Sequence, residues 1–211
     1  AALGVLLLAA PVAAAETPWL SIAPDVRMRL IAAETPGPDG TTLAALELDM
    51  PATTKTYWRV PGETGLPTEL DFSGSSGVTG GAIVWPYPTR EKRNGYTDFV
   101  YYGPTVLPIE LRLDGAPPVL RLATILGICS DICVPAQADF TLPLDLGTPD
   151  RGQDLRIEQA LARTPLPWPD HDAAIGDVAI DAGGGQLAVP IGDPRIDPLS
   201  VIADAGSTDL I

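Results

Sequence analysis

The chain has 211 residues, 45% of them hydrophobic and 19% charged, with 21 Gly and 23 Pro. Its 27 acidic side chains against 13 basic ones leave a formal charge of −14, which argues against nucleic acid or an anionic membrane surface as a partner. The length is sufficient for one substantial core and the beginning of a second, and the Pro and Gly load favours short strands joined by turns over a helical bundle.

In chain order, the opening Ala1 to Ala15 is an apolar run closing on an Ala-x-Ala pattern before Glu16, too short to span a bilayer. It is expected to be a signal peptide, incomplete at its start, with the mature protein beginning near Glu16. Alternation of apolar and polar residues then predicts strands over 26–31 and 42–50, separated by Gly37-Pro38-Asp39-Gly40. Further strand-like runs follow at 56–60, 69–72, 82–85, 99–102, 106–113, 119–126 and 138–144. Turn signals lie between them at Pro61-Gly62, Gly80-Gly81, Asn94-Gly95 and Asp114-Gly115. One helix is predicted over 154–163, ended by Thr164-Pro165, and a Pro-rich connector leads to strand-like pieces at 177–180 and 186–191.

This spacing predicts an all-β, immunoglobulin-like sandwich over 16–148. A helix and connector over 149–172 should follow, then the start of a second β domain over 173–211. The chain is expected to continue beyond Ile211, and no segment within it is apolar enough to insert into a membrane.

Several site types are disfavoured. His171, the sole histidine, sits in the connector with no group to orient it as a base. Two cysteines and one distant histidine fall short of a zinc set, and no acidic cluster reads as a calcium loop. Gly183-Gly184-Gly185 lacks the strand-to-helix context of a phosphate cradle. No cofactor or resident metal is expected.

The chemistry therefore converges on Cys129 and Cys133 in Gly127-Ile-Cys-Ser-Asp-Ile-Cys-Val-Pro135. Along a straight strand, residues four apart lie ~13 Å from each other, whereas a disulfide needs Cα atoms at ~4.4–6.8 Å. A bond between them requires the chain to turn back, with Ser130-Asp131-Ile132 at a hairpin tip. So small a ring gives ~2 kcal/mol in the loop-entropy picture, against ~4.7 kcal/mol for a 100-residue loop, which makes it a weak staple. A redox couple suits the position better. No helix N-terminus and no adjacent Lys or Arg activates either thiol, and Asp131 opposes thiolate formation, so the pair reads as a slow nucleophile towards stray oxidants. A structural hairpin disulfide and a two-thiolate Cu(I) site are the alternatives, the latter with only Met28 and Met50 as further soft ligands.

Four motifs carry a family resemblance: Lys55-Thr-Tyr-Trp-Arg-Val-Pro-Gly-Glu-Thr-Gly-Leu-Pro67; Trp85-Pro-Tyr-Pro88; Gly95-Tyr96 through Tyr101-Tyr102-Gly103; and Cys129-Ser-Asp-Ile-Cys133-Val-Pro135. From about Trp19 to Leu146 the chain resembles the N-terminal periplasmic domain of the thiol:disulfide interchange protein DsbD, in the branch that includes the copper-sensitivity suppressor ScsB. The resemblance implies an immunoglobulin-like domain with a redox-active disulfide on a hairpin. It implies a periplasmic place, either free-standing or as the outer portion of an inner-membrane protein. The implied partners are a membrane-embedded reductase domain and thioredoxin-like proteins, with electrons relayed between them. It also implies a cap over the cysteines from the segment holding Asp98, Phe99, Tyr101 and Tyr102, with Tyr101 as the covering ring. The family's acidic pair is not reproduced in that segment, where Phe99 and Val100 stand and Asp98 is displaced, and the cysteine spacing is shorter than in the enteric form.

Overall fold

The computed structural model describes residues 15–33, 35–93, 95–148, 150–167, 174–181 and 186–203. The readings placed on residues 1–14, His171 and Gly183 to Gly185 lie outside these. The chain divides into two compact units, 1–164 and 165–211.

Among its described residues, the first unit holds eleven strands and one α-helix in chain order. They are β1 (Leu20–Ala23), β2 (Val26–Ala32), β3 (Thr41–Asp49), β4 (Lys55–Gly62), β5 (Glu69–Asp71), β6 (Val78–Ile83), β7 (Thr89–Arg93), β8 (Tyr96–Tyr102), β9 (Thr105–Leu113), β10 (Val119–Cys129), β11 (Cys133–Pro143) and α1 (Arg151–Leu161). One sheet runs β1-β2-β3-β9-β6; the other runs β11-β10-β4-β8-β7, with β5 also paired to β10. Among the described residues these strands pair antiparallel throughout. The expected all-β sandwich is borne out. Its strands match the alternating runs of the sequence, except β1 and the wholly polar β7, which alternation did not announce.

Alternation also decides which side chains form the core. Met28, Leu30, Leu46, Leu48, Leu107, Ile109 and Leu111 come from one sheet, and Leu120, Leu122, Leu126, Phe140 and Leu142 from the other, all buried. Trp58 and Phe99 join them, their rings 5.7 Å apart in an edge-on arrangement. Fully burying each such side chain contributes about 1.5–3 kcal/mol, so this layer dominates the stability of the unit.

Part of the outer face of the five-stranded sheet is covered as well. Helix α1 begins three residues earlier than the sequence pattern indicates, because the Asp150 carboxylate accepts from the backbone N–H of Gly152 and Gln153 and caps it. It buries Gln153, Ile157 and Ala160, one stripe of the helix. Ile157 packs with Ile31, Ala33 and Ala45 on the back of β2 and β3. The second unit contains β12 (Ala179–Asp181) paired antiparallel with β13 (Gln186–Ala188).

Candidate functional site: the disulfide hairpin and its charged surround

Strands β10 and β11 pair in unbroken register from Val119↔Pro143 to Cys129↔Cys133, so Ser130, Asp131 and Ile132 form the turn. The Ser130 N–H donates to the Ile132 carbonyl across it. The two cysteines are disulfide-bonded with Cα atoms 4.0 Å apart, which is the reversal their spacing demanded. Their environments differ sharply. Cys129 is 3% exposed, whereas Cys133 is open to solvent beside Ile132, which is 74% exposed.

Cross-strand register assembles the rest. Cys129 stands opposite Lys55 on β4, and Lys55 stands opposite Tyr102 on β8. Because side chains alternate along a strand, Cys129, Lys55, Tyr57, Asp98, Val100 and Tyr102 share the outer face. Thr56, Trp58, Phe99 and Tyr101 take the inner one. Of the four residues expected around the cysteines, the structure thus brings Asp98 and Tyr102 to the face of Cys129. It puts Phe99 and Tyr101 towards the core, where the Tyr101 hydroxyl donates to the Pro86 carbonyl at 2.6 Å. Burial pushes the Tyr101 phenol far above its ordinary value.

The ring against the cysteines is Tyr57. It clusters with Val100 and Cys129, and its hydroxyl lies 3.5 Å from Cys133 Sγ. In the oxidised pair the sulfur carries no proton, so the phenol donates. Burial pushes its pKa above the ordinary tyrosine value, with Lys55 opposing and nearby Asp98 adding to the rise, so the hydroxyl stays protonated at neutral pH. Two glycines make room for the ring: a Cβ on Gly127 would meet Tyr57 ring carbons at 2.9 and 3.0 Å, and a Cβ on Gly65 would collide with the other side. Gly65 belongs to a strap, residues 63–68, that leaves β4 at Gly62 in a left-handed conformation (φ 89°) open to glycine. The strap is tied down by Thr64, whose N–H and hydroxyl donate to the two Asp98 carboxylate oxygens at 3.1 and 2.6 Å. Glu63 also exchanges hydrogen bonds with the Thr97 backbone.

A charged cluster completes the face. Lys55 Nζ donates to the carboxylates of Glu91 and, at 3.4 Å, Asp98, and lies 5.5 Å from the centroid of the Tyr57 ring. Glu91 on β7 is register-paired with Asp98 and accepts from the Tyr102 hydroxyl at 2.7 Å. Burial works against the Lys55 ammonium, but the Glu91 hydrogen bond and the neighbouring anionic groups outweigh it and hold the group above its ordinary value. The Lys55 hydrogen bond in turn holds the Glu91 carboxyl low. Burial, then the Glu91 contact, raises the Tyr102 phenol.

The local sequence around the cysteines offers no cation, and the fold supplies one from a distant strand. The signal was present only as Lys55-Thr-Tyr57, two functional residues at the alternate positions of one strand end. Among the described residues, no three His, Cys, Asp or Glu side chains come together as a metal site, and no helix is long and apolar enough to cross a membrane.

A β-sandwich with a solvent-facing disulfide at a hairpin end, backed by a phenol and an ammonium, belongs to the thiol–disulfide interchange class. The family model described as "Thiol:disulfide interchange protein DsbD, N-terminal" matches residues 27–145, more than half of the chain, and the chain belongs to that family. Among solved structures, the N-terminal periplasmic domain of ScsB from Proteus mirabilis superposes with a TM-score of 0.64 at 28% identity. That match covers 83% of this chain and 68% of the other. No curated protein sequence matches the chain.

Proposed function

We propose that the domain is a periplasmic electron relay. Cys129 and Cys133 cycle between disulfide and dithiol, receiving electrons from a membrane-embedded reductase domain and passing them to thioredoxin-like proteins. The observation that carries this reading is the asymmetry of the pair: Cys133 is open to an incoming thiolate, while Cys129 is buried in a cluster with Tyr57 and Val100. A staple needs no such asymmetry, whereas ordered exchange does, because it defines which sulfur is attacked and which leaves. Asp98 and Tyr102 shield the sulfur-bearing face, and Phe99 and Tyr101 support the same strand from the core. The family membership and the periplasmic relative point the same way.

The test is the reduction potential of the pair in defined thiol buffers, with melting curves of both forms. A relay should lie between about −180 and −270 mV with both forms folded. A value below about −300 mV, with the reduced form unfolded, would make the bond structural and overturn the proposal. Cys129→Ser, which keeps the exposed sulfur, should accumulate a mixed disulfide with a thioredoxin-like partner.

A further inference from the structure

We infer that Lys55 is the charge-compensating residue of the exchange step: from its place opposite Cys129, its ammonium stabilises the thiolate that Cys129 becomes when a partner attacks Cys133. The inference rests on the relay reading of the pair. In that step a partner thiolate bonds to Cys133 Sγ, the Cys129–Cys133 bond breaks, and the electron pair leaves with Cys129 Sγ. The partner's second thiolate then attacks its own sulfur in the mixed disulfide and releases Cys133. The partner's dithiol ends as a disulfide, the Cys129–Cys133 pair ends as a dithiol, and each new thiolate takes up one proton.

Burial makes the first departure difficult. Cys129 is 3% exposed, and a thiolate deprived of water is disfavoured. The groups around it would make matters worse. Glu91 comes from β7, Asp98 and the Tyr102 phenol from β8, the Tyr57 phenol from β4, Glu63 from the strap and Asp131 from the hairpin turn. The elements around the sulfur therefore carry four carboxyl groups and two phenols. Lys55 is the ammonium among them, and opposed antiparallel residues have Cβ atoms about 4.5–5.5 Å apart. The side chain is held, not free: two carboxylates and the Tyr57 ring fix the ammonium on the outer face, with the side chain 11% exposed. Arg93 of β7 is a further cation on this face, and it acts on Tyr102; without Lys55 a new negative charge would form on the face of Glu91 and Asp98 without the cation that pairs them.

The experiment titrates Cys129 alone. In Cys133→Ser protein, the ultraviolet absorbance of the thiolate is followed against pH, a measurement that needs no partner and no reagent access. Adding Lys55→Met should raise the titration midpoint by about one pH unit, a neighbouring opposite charge being worth about one to three. Lys55→Arg should return it to within about a third of a unit. Glu91→Gln, which removes one competing carboxylate and leaves the Lys55–Asp98 pair, should move the midpoint down. An unmoved midpoint in folded Lys55→Met, or failure of the arginine variant to restore it, overturns the inference. Should Lys55→Met not fold, a Glu91→Gln midpoint that stays or rises overturns it alone. Failure of the relay itself would appear elsewhere, in the potential and the absent mixed disulfide.

Discussion

The molecule contains two charge clusters built to the same stoichiometry on opposite outer faces. On the five-stranded sheet, Arg29 bridges Glu16 and Glu47, both at 2.6 Å, and its guanidinium lies 4.5 Å from the centroid of the Trp19 ring. On the six-stranded sheet, Lys55 bridges Glu91 and Asp98 and lies over Tyr57. Each is one cation, two carboxylates and one aromatic ring under a cover, α1 in the first case and the strap in the second. The difference lies in what the cluster ends on. Arg29 is part of a chain of ion pairs that continues from Glu47 to Arg156 on the helix at 3.2 Å, so it joins structural elements and nothing more. Lys55 is next to a phenol that touches sulfur. Arginine's fixed fork suits the first task, and a compact ammonium in a titratable setting suits the second. The same electrostatic unit is thus fastened to packing in one place and to chemistry in the other.

The sharpest way to break this comparison is to remove the structural cation. Arg29→Met leaves Glu16 without this cation and Glu47 with Arg156 alone, and should cost about 3 kcal/mol in urea unfolding. The reduction potential of the cysteines should not move. A potential that shifts with Arg29 would mean the two clusters are coupled and the division of labour is false. A middle-sized effect is expected at the strap. Thr64→Val deletes the hydroxyl that donates to Asp98 and should lower stability by about 1 kcal/mol. In the reduced protein it should also speed alkylation of Cys129, since the strap packs on the Tyr57 ring that lies against it. Unchanged alkylation would show that Tyr57 alone seals the sulfur.

The smallest effect is in the pH profile. The folded state holds Glu91 below its ordinary value, so its contribution is complete above about pH 4.3 and disappears as pH falls through the depressed folded value. Lys55 is held above its ordinary value, so its contribution is complete below about pH 10.4 and disappears as pH rises through the raised one. Glu91→Gln should therefore flatten the acid limb of a stability–pH curve by lowering the neutral plateau towards the acid level. A variant with an undiminished acid limb would place the acid sensitivity in other carboxylates.

How far these features were readable in the sequence depends on whether they are local. Alternation in Thr42-Leu-Ala-Ala-Leu-Glu-Leu-Asp49 reports a half-buried strand directly, and the cysteine spacing reports the hairpin, because both are decided within a few residues. The polar stretch Thr89-Arg-Glu-Lys-Arg93 conceals β7, since a strand at a sheet edge need not alternate and charged edges discourage further pairing. The cluster was hidden for a different reason. Glu91, Asp98 and Lys55 meet through the registers of three strands, and Tyr57 reaches Cys133 across 76 positions of chain. Within the segment expected to carry the cap, Tyr101 and Tyr102 are adjacent, and adjacency on a strand sends them to opposite faces. Which ring faces the sulfur is decided by register alone.

The two glycines around Tyr57 have a consequence for how this domain can vary. A side chain at position 127 would press on the ring and on Leu66 at 3.1 Å, and one at 65 would press from the far side. Both positions abut the ring itself, so each is committed as long as the tyrosine is kept. Lineages that lose the ring should be released at both glycines together, so positions 57, 65 and 127 form one inherited unit even though they are spread over three segments of chain.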